Sequence, residues 1–125
     1  MKRVIVSGTR EILGAEDISR LELLVDMWAG HSDEIGVGDC PTGVDAVVRL
    51  HFRGRVFRAD WQTHGAAAGP RRNAEMVAWA AEADEALLIA MPAPSSRGTW
   101  DTINRAVAAG IPVVIVPVGG KRWPE

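Results

Sequence analysis

The chain is poor in the residues that mark several large classes of protein. Of its 125 residues, one is a cysteine and none is a tyrosine. A lone cysteine, Cys40, cannot form an internal disulfide, which argues against a disulfide-stapled secreted domain. No apolar run approaches the roughly 18 residues that a membrane-spanning helix needs. These absences predict a cytoplasmic protein that does not enter a membrane.

Neither sign of charge is in large excess. The formal net charge is −2 at pH 7, so no global positive field is expected to recruit nucleic acid. The first residues, Met1, Lys2 and Arg3, lead directly into an apolar run and lack a signal-peptide pattern. Repeats and low-complexity tracts are also missing. Length and composition therefore predict a single globular domain over residues 1–125.

Short apolar runs alternate with amphipathic segments along the chain. This alternation predicts an α/β fold, a Rossmann-like doubly wound parallel sheet of about five strands in a three-layer α/β/α arrangement. Asp17 or Ser19 is expected to cap the first helix, and Thr99 the last. The predicted strands are 2–6, 34–37, 56–59, 86–91 and 112–116. The first predicted helix ends at Gly30, and the other three cover 43–52, 70–82 and 98–109. The segments 60–69 and 117–125 are expected to be irregular.

Polar turns, most of them containing glycine, follow the predicted strands. In an open parallel sheet such turns gather at the carboxyl edge, where ligands bind and where helix N-termini offer free amides to anions. The turns contain neither a G-x-G-x-x-G fingerprint nor a Walker A ending, so a classical NAD dehydrogenase or P-loop protein is not indicated. The turn residues expected to contact a ligand are Ser7, Gly8, Thr9, Arg10, Gly38, Asp39, Thr42, Gly43, Asp60, Trp61, Gly98 and Thr99.

Two arginines, Arg71 and Arg72, stand where the third helix is predicted to begin. Positive charge at a helix N-terminus opposes the helix dipole by roughly 0.3–1 kcal/mol. Anion binding between the two side chains would explain that cost, because guanidinium forks match phosphate oxygens. The structural alternative is a set of salt bridges to Asp39, Asp60 or Glu75.

Other candidate residues also have a structural alternative. Trp61 either stacks on a nucleotide base or covers the edge of the sheet. Asp45 lies in the first turn of its helix, where a capping role is expected, and Cys40 is expected to fill space because no motif supplies a histidine partner. Asp101 and Arg105 are four residues apart on one helix and are expected to pair.

These turn sequences resemble those of one family. The chain resembles the SLOG superfamily, a Rossmann-like group that includes the Lonely Guy enzymes and a DNA-processing protein, and in particular its small single-domain members related to YspA. The resemblance implies a nucleotide or nucleotide-derived ligand at the carboxyl edge, with Arg71, Arg72 and Asn73 among its contacts. The matching stretches are 7–10, 38–45, 59–61, 68–76, 98–99 and 109–113.

The same resemblance raises an enzymatic alternative. In Lonely Guy enzymes an arginine and a glutamate serve cleavage of the N-glycosidic bond of a nucleoside 5′-monophosphate. Arg72 looks like that arginine, but the glutamate position is Thr102 here. Asp101 is one residue short and would point about 100° away around the helix. If the chain is a phosphoribohydrolase, Arg72 and Asp101 are its expected catalytic residues, with Asp39 as another candidate carboxylate.

The first hypothesis is therefore a nucleotide sensor or ligand-binding domain, with no metal or cofactor expected. Single-stranded DNA binding is a further hypothesis, although it needs a basic, aromatic-lined groove. Relatives in the SLOG group commonly assemble through their helices, so Trp28, Trp79 and Trp100 either form a face for a homo-oligomer or are buried. A separate effector protein is the remaining expected partner.

Overall fold

Five parallel strands form one sheet in the computed structural model, which describes residues 1–120. The strands are β1 (Lys2–Gly8), β2 (Glu34–Gly38), β3 (Arg55–Phe57), β4 (Glu85–Met91) and β5 (Val113–Ile115). Their order across the sheet is β3-β2-β1-β4-β5, and β1 is hydrogen-bonded to β2 on one side and to β4 on the other. The predicted α/β fold with a five-stranded parallel sheet is confirmed.

Helices cover both faces of this sheet, because side chains alternate between the faces along each strand. On β1, Val4 and Val6 pack into one core with the first two helices, and Ile5 packs into the other with the last two. The α-helices are α1 (Ala15–Trp28), α2 (Gly43–His51), α3 (Trp61–His64), α4 (Ala68–Ala81) and α5 (Arg97–Ala108), with 3₁₀ turns at Gly65–Ala67 and Val118–Gly120.

The prediction of an irregular segment over residues 60–69 was wrong. The short helix α3 and a 3₁₀ turn occupy most of it, and α4 begins at Ala68. Asp60 caps α3 by accepting a hydrogen bond from the Thr63 amide at 3.1 Å, and the hydrogen bonds from Thr63 lower the pKa of Asp60. Glycine and alanine suggested a loop, but the local cap overrides that composition.

Two predicted helix caps were also wrong. Helix α1 begins at Ala15 after Gly14, so Asp17 lies inside the helix, where it accepts a hydrogen bond from the Gly119 amide at 2.9 Å. Helix α5 begins at Arg97, which places Thr99 in its first turn rather than at the cap. The predicted tail continues past Gly120, so its residues 121–125 lie outside the described part of the chain.

The tryptophans on the long helices have different environments. Trp79 is buried, with its ring 5.4 Å from that of Phe57 in an edge-to-face arrangement and under the Arg3 guanidinium. Trp100 is partly buried, whereas Trp28 is exposed at the end of α1. Trp79 is thus part of the core and is not available to an oligomer face. Within residues 1–120, no helix is long and apolar enough to cross a membrane.

Candidate functional site

A cavity of about 390 Å³ opens at the carboxyl edge of the sheet. It lies around the end of β1, where β2 and β3 extend to one side and β4 and β5 to the other. Ligands bind open α/β sheets at this point, because the loops on the two sides diverge and leave a crevice. The residues predicted from sequence that line this main cavity are Ser7, Gly8, Thr9, Arg10, Arg72, Asn73, Gly98 and Thr99.

A smaller pocket of about 210 Å³ adjoins the main cavity. Arg10, Cys40 and Arg72 line both spaces and form the boundary between them. The rest of the small pocket is formed by Asp39 and by Trp61, together with Pro41. Two predicted residues from different strands, Asp39 after β2 and Trp61 after β3, therefore meet at this second space.

Glycines bring the loop after β1 close to its neighbours. A side chain on Gly8 would overlap Val44, and one on Gly43 would overlap the Thr9 carbonyl. Gly43 also has a φ of +72°, a conformation that favours glycine. The Val44 amide donates to the Thr9 carbonyl at 3.0 Å. Gly43 thus shapes the site through the backbone and does not line the main cavity.

Arg72 is held at the boundary by a salt bridge. One of its terminal nitrogens lies 2.8 Å from an Asp39 carboxylate oxygen, and its Nε donates to the Asn73 side-chain oxygen at 3.0 Å. Gly38 makes room for it, because a Cβ there would lie 2.6 Å from the Arg72 guanidinium. The salt bridge to Asp39, which sequence analysis offered as the structural alternative, is therefore present.

The neighbouring Arg71 is exposed and lines neither of these two cavities. Consecutive residues on a helix point about 100° apart, so Arg71 and Arg72 do not face the same space. Both also lie inside α4, which starts three residues before Arg71. Of the predicted pair of arginines, Arg72 therefore lines the cavities and Arg71 does not, and their joint binding of one anion stays a prediction.

Asp45 is the main residue that sequence analysis did not place at the site. It lines the main cavity, yet its side chain is buried, with 7% relative exposure. Burial raises the pKa of Asp45, and the charges of Arg72 and Arg49 oppose that rise. The Cys40 amide donates to its carboxylate at 3.2 Å. A carboxyl in the first turn of a helix after a glycine turn was the available signal, but it was interpreted as a cap.

Two buried hydroxyl groups also open into the main cavity. Ser7 has 9% relative exposure and Thr99 has 3%, and no hydrogen bond joins either hydroxyl to another residue among 1–120. No fully buried side-chain oxygen or nitrogen of the described residues lacks a partner, so these hydroxyls face the open space. Their hydrogen-bonding capacity is available to a ligand.

Several predicted residues have structural roles beside the cavities. Asp101 accepts hydrogen bonds from Arg105 at 2.9 Å and from the Asn73 amide at 3.1 Å, and it is not among the residues that line the main cavity. The predicted Asp101–Arg105 pair is confirmed. Thr42 donates to the Arg10 carbonyl at 2.6 Å. No cluster of three or more potential metal ligands occurs within residues 1–120.

Comparison with known proteins identifies a phage relative. No protein-family model matches the chain, and no solved structure matches it. The Gene 61 protein of Mycobacterium phage D29 is 35% identical over 111 residues, which is 89% of this chain and 68% of the relative. The chain belongs to the Gene 61 family.

The similarity to the Gene 61 protein covers most of the α/β fold. An alignment over 89% of the chain takes in β2, α2, α4 and α5 wherever it begins, and these elements carry Asp45, Arg72 and Thr99. The name of the Gene 61 protein states no ligand and no activity. The chemistry of the site has to be argued from its own residues.

Proposed function

We propose that the protein binds a nucleotide or a nucleotide-derived ligand along the carboxyl edge of the sheet, as a sensor or ligand-binding domain. The observation that carries this proposal is the main cavity at the end of β1, with the Ser7 and Thr99 hydroxyls open to it. Gly98 and Thr99 lie in the first turn of the 12-residue helix α5. Amides of a first turn lack intrahelical partners and attract anions, so this end of the cavity suits a phosphate.

The charges around the main cavity support a phosphate-bearing ligand. Three arginines, Arg10, Arg72 and Arg97, line it together with the carboxyl groups of Glu11 and Asp45. Arg10 and Arg97 are exposed, so their side chains can turn toward an incoming anion. Guanidinium groups match the oxygens of a phosphate in paired fashion.

The adjoining pocket supports a ligand larger than phosphate. Trp61 is 49% exposed, and one edge of its ring lies next to Gly69, where an added Cβ would be 3.3 Å from it. Trp61 also lines the small pocket. An exposed indole beside a pocket can stack on a planar base, so we propose that the base occupies this pocket.

The resemblance to the SLOG superfamily supports the same class of ligand. Of the two residues expected to be catalytic in a phosphoribohydrolase, Arg72 lines the main cavity, whereas Asp101 is engaged by Asn73 and Arg105 and does not line it. We therefore favour binding over hydrolysis. The proposal also includes a cytoplasmic location and a separate effector protein. It further includes a homo-oligomer, in which the exposed Trp28 could form part of the interface.

The test is a titration of the purified protein with AMP, GMP, ADP-ribose, cyclic nucleotides and NAD, followed by thermal unfolding. Binding to the folded state raises the midpoint by mass action. Arg72→Ala should abolish the rise, whereas Arg71→Ala, the matched control on the adjacent exposed residue, should retain it. Each mixture is then assayed for released base, which would identify hydrolysis. A flat response to every nucleotide would refute the proposal.

A further inference from the structure

We propose that Asp45 binds the sugar hydroxyls of the nucleotide, so that the site takes ribonucleotides in preference to deoxyribonucleotides. The inference rests on the proposed function, because it names the part of that ligand which meets the β2–α2 loop. It also gives the ligand a direction along the sheet edge. Phosphate lies at the start of α5, the sugar lies at Asp45, and the base lies against Trp61.

The order of the strands determines this direction. Helix α5, which carries Thr99, follows β4 on one side of β1, and the loop that leads to Asp45 follows β2 on the other side. Trp61 follows β3, the strand beyond β2. Adjacent strands are about 4.8 Å apart, so a ligand that extends from the Thr99 end to Trp61 passes Asp45 on the way.

The carboxyl of Asp45 has hydrogen-bonding capacity to spare. An ionised carboxylate can accept about four hydrogen bonds, and within residues 1–120 the Cys40 amide is its one hydrogen-bond donor. Arg72 lies beside it, since a Cβ on Gly38 would be 2.6 Å from both side chains. Arg72, which is itself paired with Asp39, partly offsets the charge of Asp45 without a hydrogen bond to it, so the acceptor positions not used by the Cys40 amide are available to ligand hydroxyls.

The location of Asp45 is costly for the fold. Burial raises its pKa, which means that the charged form is disfavoured where it stands. A carboxyl that only caps a helix has no need to line a cavity, whereas Asp45 lines the main cavity. A carboxyl with a perturbed pKa in a cleft, next to a specific charged partner, is characteristic of functional sites.

The test compares each 5′-monophosphate with its 2′-deoxy and 3′-deoxy counterparts by calorimetric titration of the intact chain. Wild-type protein should bind the ribonucleotide at least about tenfold more tightly than one of the two analogues, which corresponds to about 1.4 kcal/mol. Asp45→Ala should reduce this ratio to about one while the affinity for the deoxy analogue changes little. If the alanine variant does not fold, Asp45→Asn keeps an acceptor for the Cys40 amide and should still lower the ratio severalfold, because charge-assisted bonds are about twice as strong as neutral ones.

The matched control is Asp17→Ala. Asp17 is also a buried carboxyl at the third position of a helix that follows a sheet strand, but it pairs with Arg20 at 2.6 Å and lines neither cavity. The Asp17→Ala variant should retain the full preference for ribonucleotides over the deoxy analogues. Equal binding of all three sugars by the wild type, or an unchanged ratio in the Asp45 variants, would overturn the inference and leave nucleotide binding intact. Failure of every nucleotide to bind would instead reject the proposed function.

Discussion

Several side chains at the site are buried without a full set of hydrogen-bond partners, which lowers the stability of the fold but leaves these groups able to bind a ligand. Asp45 is the clearest case, because a buried carboxyl beside one backbone donor is less well solvated than it would be in water. Ser7 and Thr99 show the same feature in uncharged form, with buried hydroxyls that have no partner among the described residues. Such groups contribute little to folding, and we propose that they serve the binding of a ligand.

We predict that Asp45→Asn raises the melting temperature at pH 7. Burial raises the pKa of Asp45 in the folded state, so its ionisation stabilises the unfolded state more than the folded one. The penalty grows as pH rises from the unfolded pKa of about 3.9 through the folded pKa. Thermal melts across this range should show a gain of a few degrees at pH 7 that vanishes below the unfolded pKa. A loss of stability at pH 7 would contradict the prediction.

We also predict opposite effects of alanine at two site glycines. Gly43→Ala should lower the free energy of unfolding by more than about 1 kcal/mol, because φ is +72° and the new Cβ would overlap the Thr9 carbonyl. Gly98→Ala is the control, since open space surrounds that position in the first turn of α5. It should be neutral or stabilising by up to about 1 kcal/mol. Urea unfolding of both variants decides this, and equal effects would refute it.

At the scale of secondary-structure elements, hydrogen bonds from one side chain of α4 fix the start of α5 beside the site. Asn73 on α4 is buried, and its amide donates to the Gly98 carbonyl at 3.3 Å and to Asp101 at 3.1 Å. This pair of bonds ties the start of α5 to α4 next to the main cavity. The helix N-terminus that we assign to phosphate is therefore positioned by a side chain from another helix.

We predict that Asn73→Ala lowers stability by about 1–3 kcal/mol, because it removes a buried side chain that donates to the Gly98 carbonyl and to Asp101. It should also weaken nucleotide binding, since the first turn of α5 loses its support. Asn104→Ala is the matched control, as Asn104 is exposed on α5, and it should stay within about 0.5 kcal/mol of wild type. Denaturant unfolding and the nucleotide titration measure the two effects. Equal changes in stability and nucleotide affinity for both variants would argue against this role of Asn73.

The molecule as a whole has two cores that share one sheet. Val4 and Val6 belong to the core under α1 and α2, and Ile5 between them belongs to the core under α4 and α5. Because the same strand serves both cores, neither can be lost without disturbing the other. This coupling predicts cooperative unfolding of the domain.

We predict that Leu21→Ala, in the core on the α1 side, lowers the free energy of unfolding by about 2–5 kcal/mol. Leu21 is fully buried, whereas Leu23 on the same helix is 62% exposed and serves as the control, with an expected change within about 0.5 kcal/mol. Circular dichroism and tryptophan fluorescence should shift together, since Trp79 in the opposite core is one of the five tryptophans that contribute to the fluorescence. Separate transitions for the two probes would contradict the coupling.

Local sequence was enough to predict the sheet and most of its helices. The run from Val4 to Val6 and the apolar stretch around Ile89 form strands because buried parallel strands need continuous apolar residues. Their observed ends differ from the predicted ends by two residues or fewer. The position of the site followed from the same pattern, because glycine turns after parallel strands must meet at one edge.

Tertiary structure decided which side chains face the site. Arg71 and Arg72 look equivalent in sequence, but the helix starts earlier than expected and directs one of them to solvent. Asp45 looked like a cap, but in the fold Arg72 from α4 lies beside it and its carboxylate accepts a hydrogen bond from the nearby Cys40 amide. Helix and strand formation depend mainly on neighbouring residues, and so sequence alone determined most of these elements. The electrostatics and hydrogen bonding of a cleft depend on residues distant in sequence, so only the folded chain could determine them.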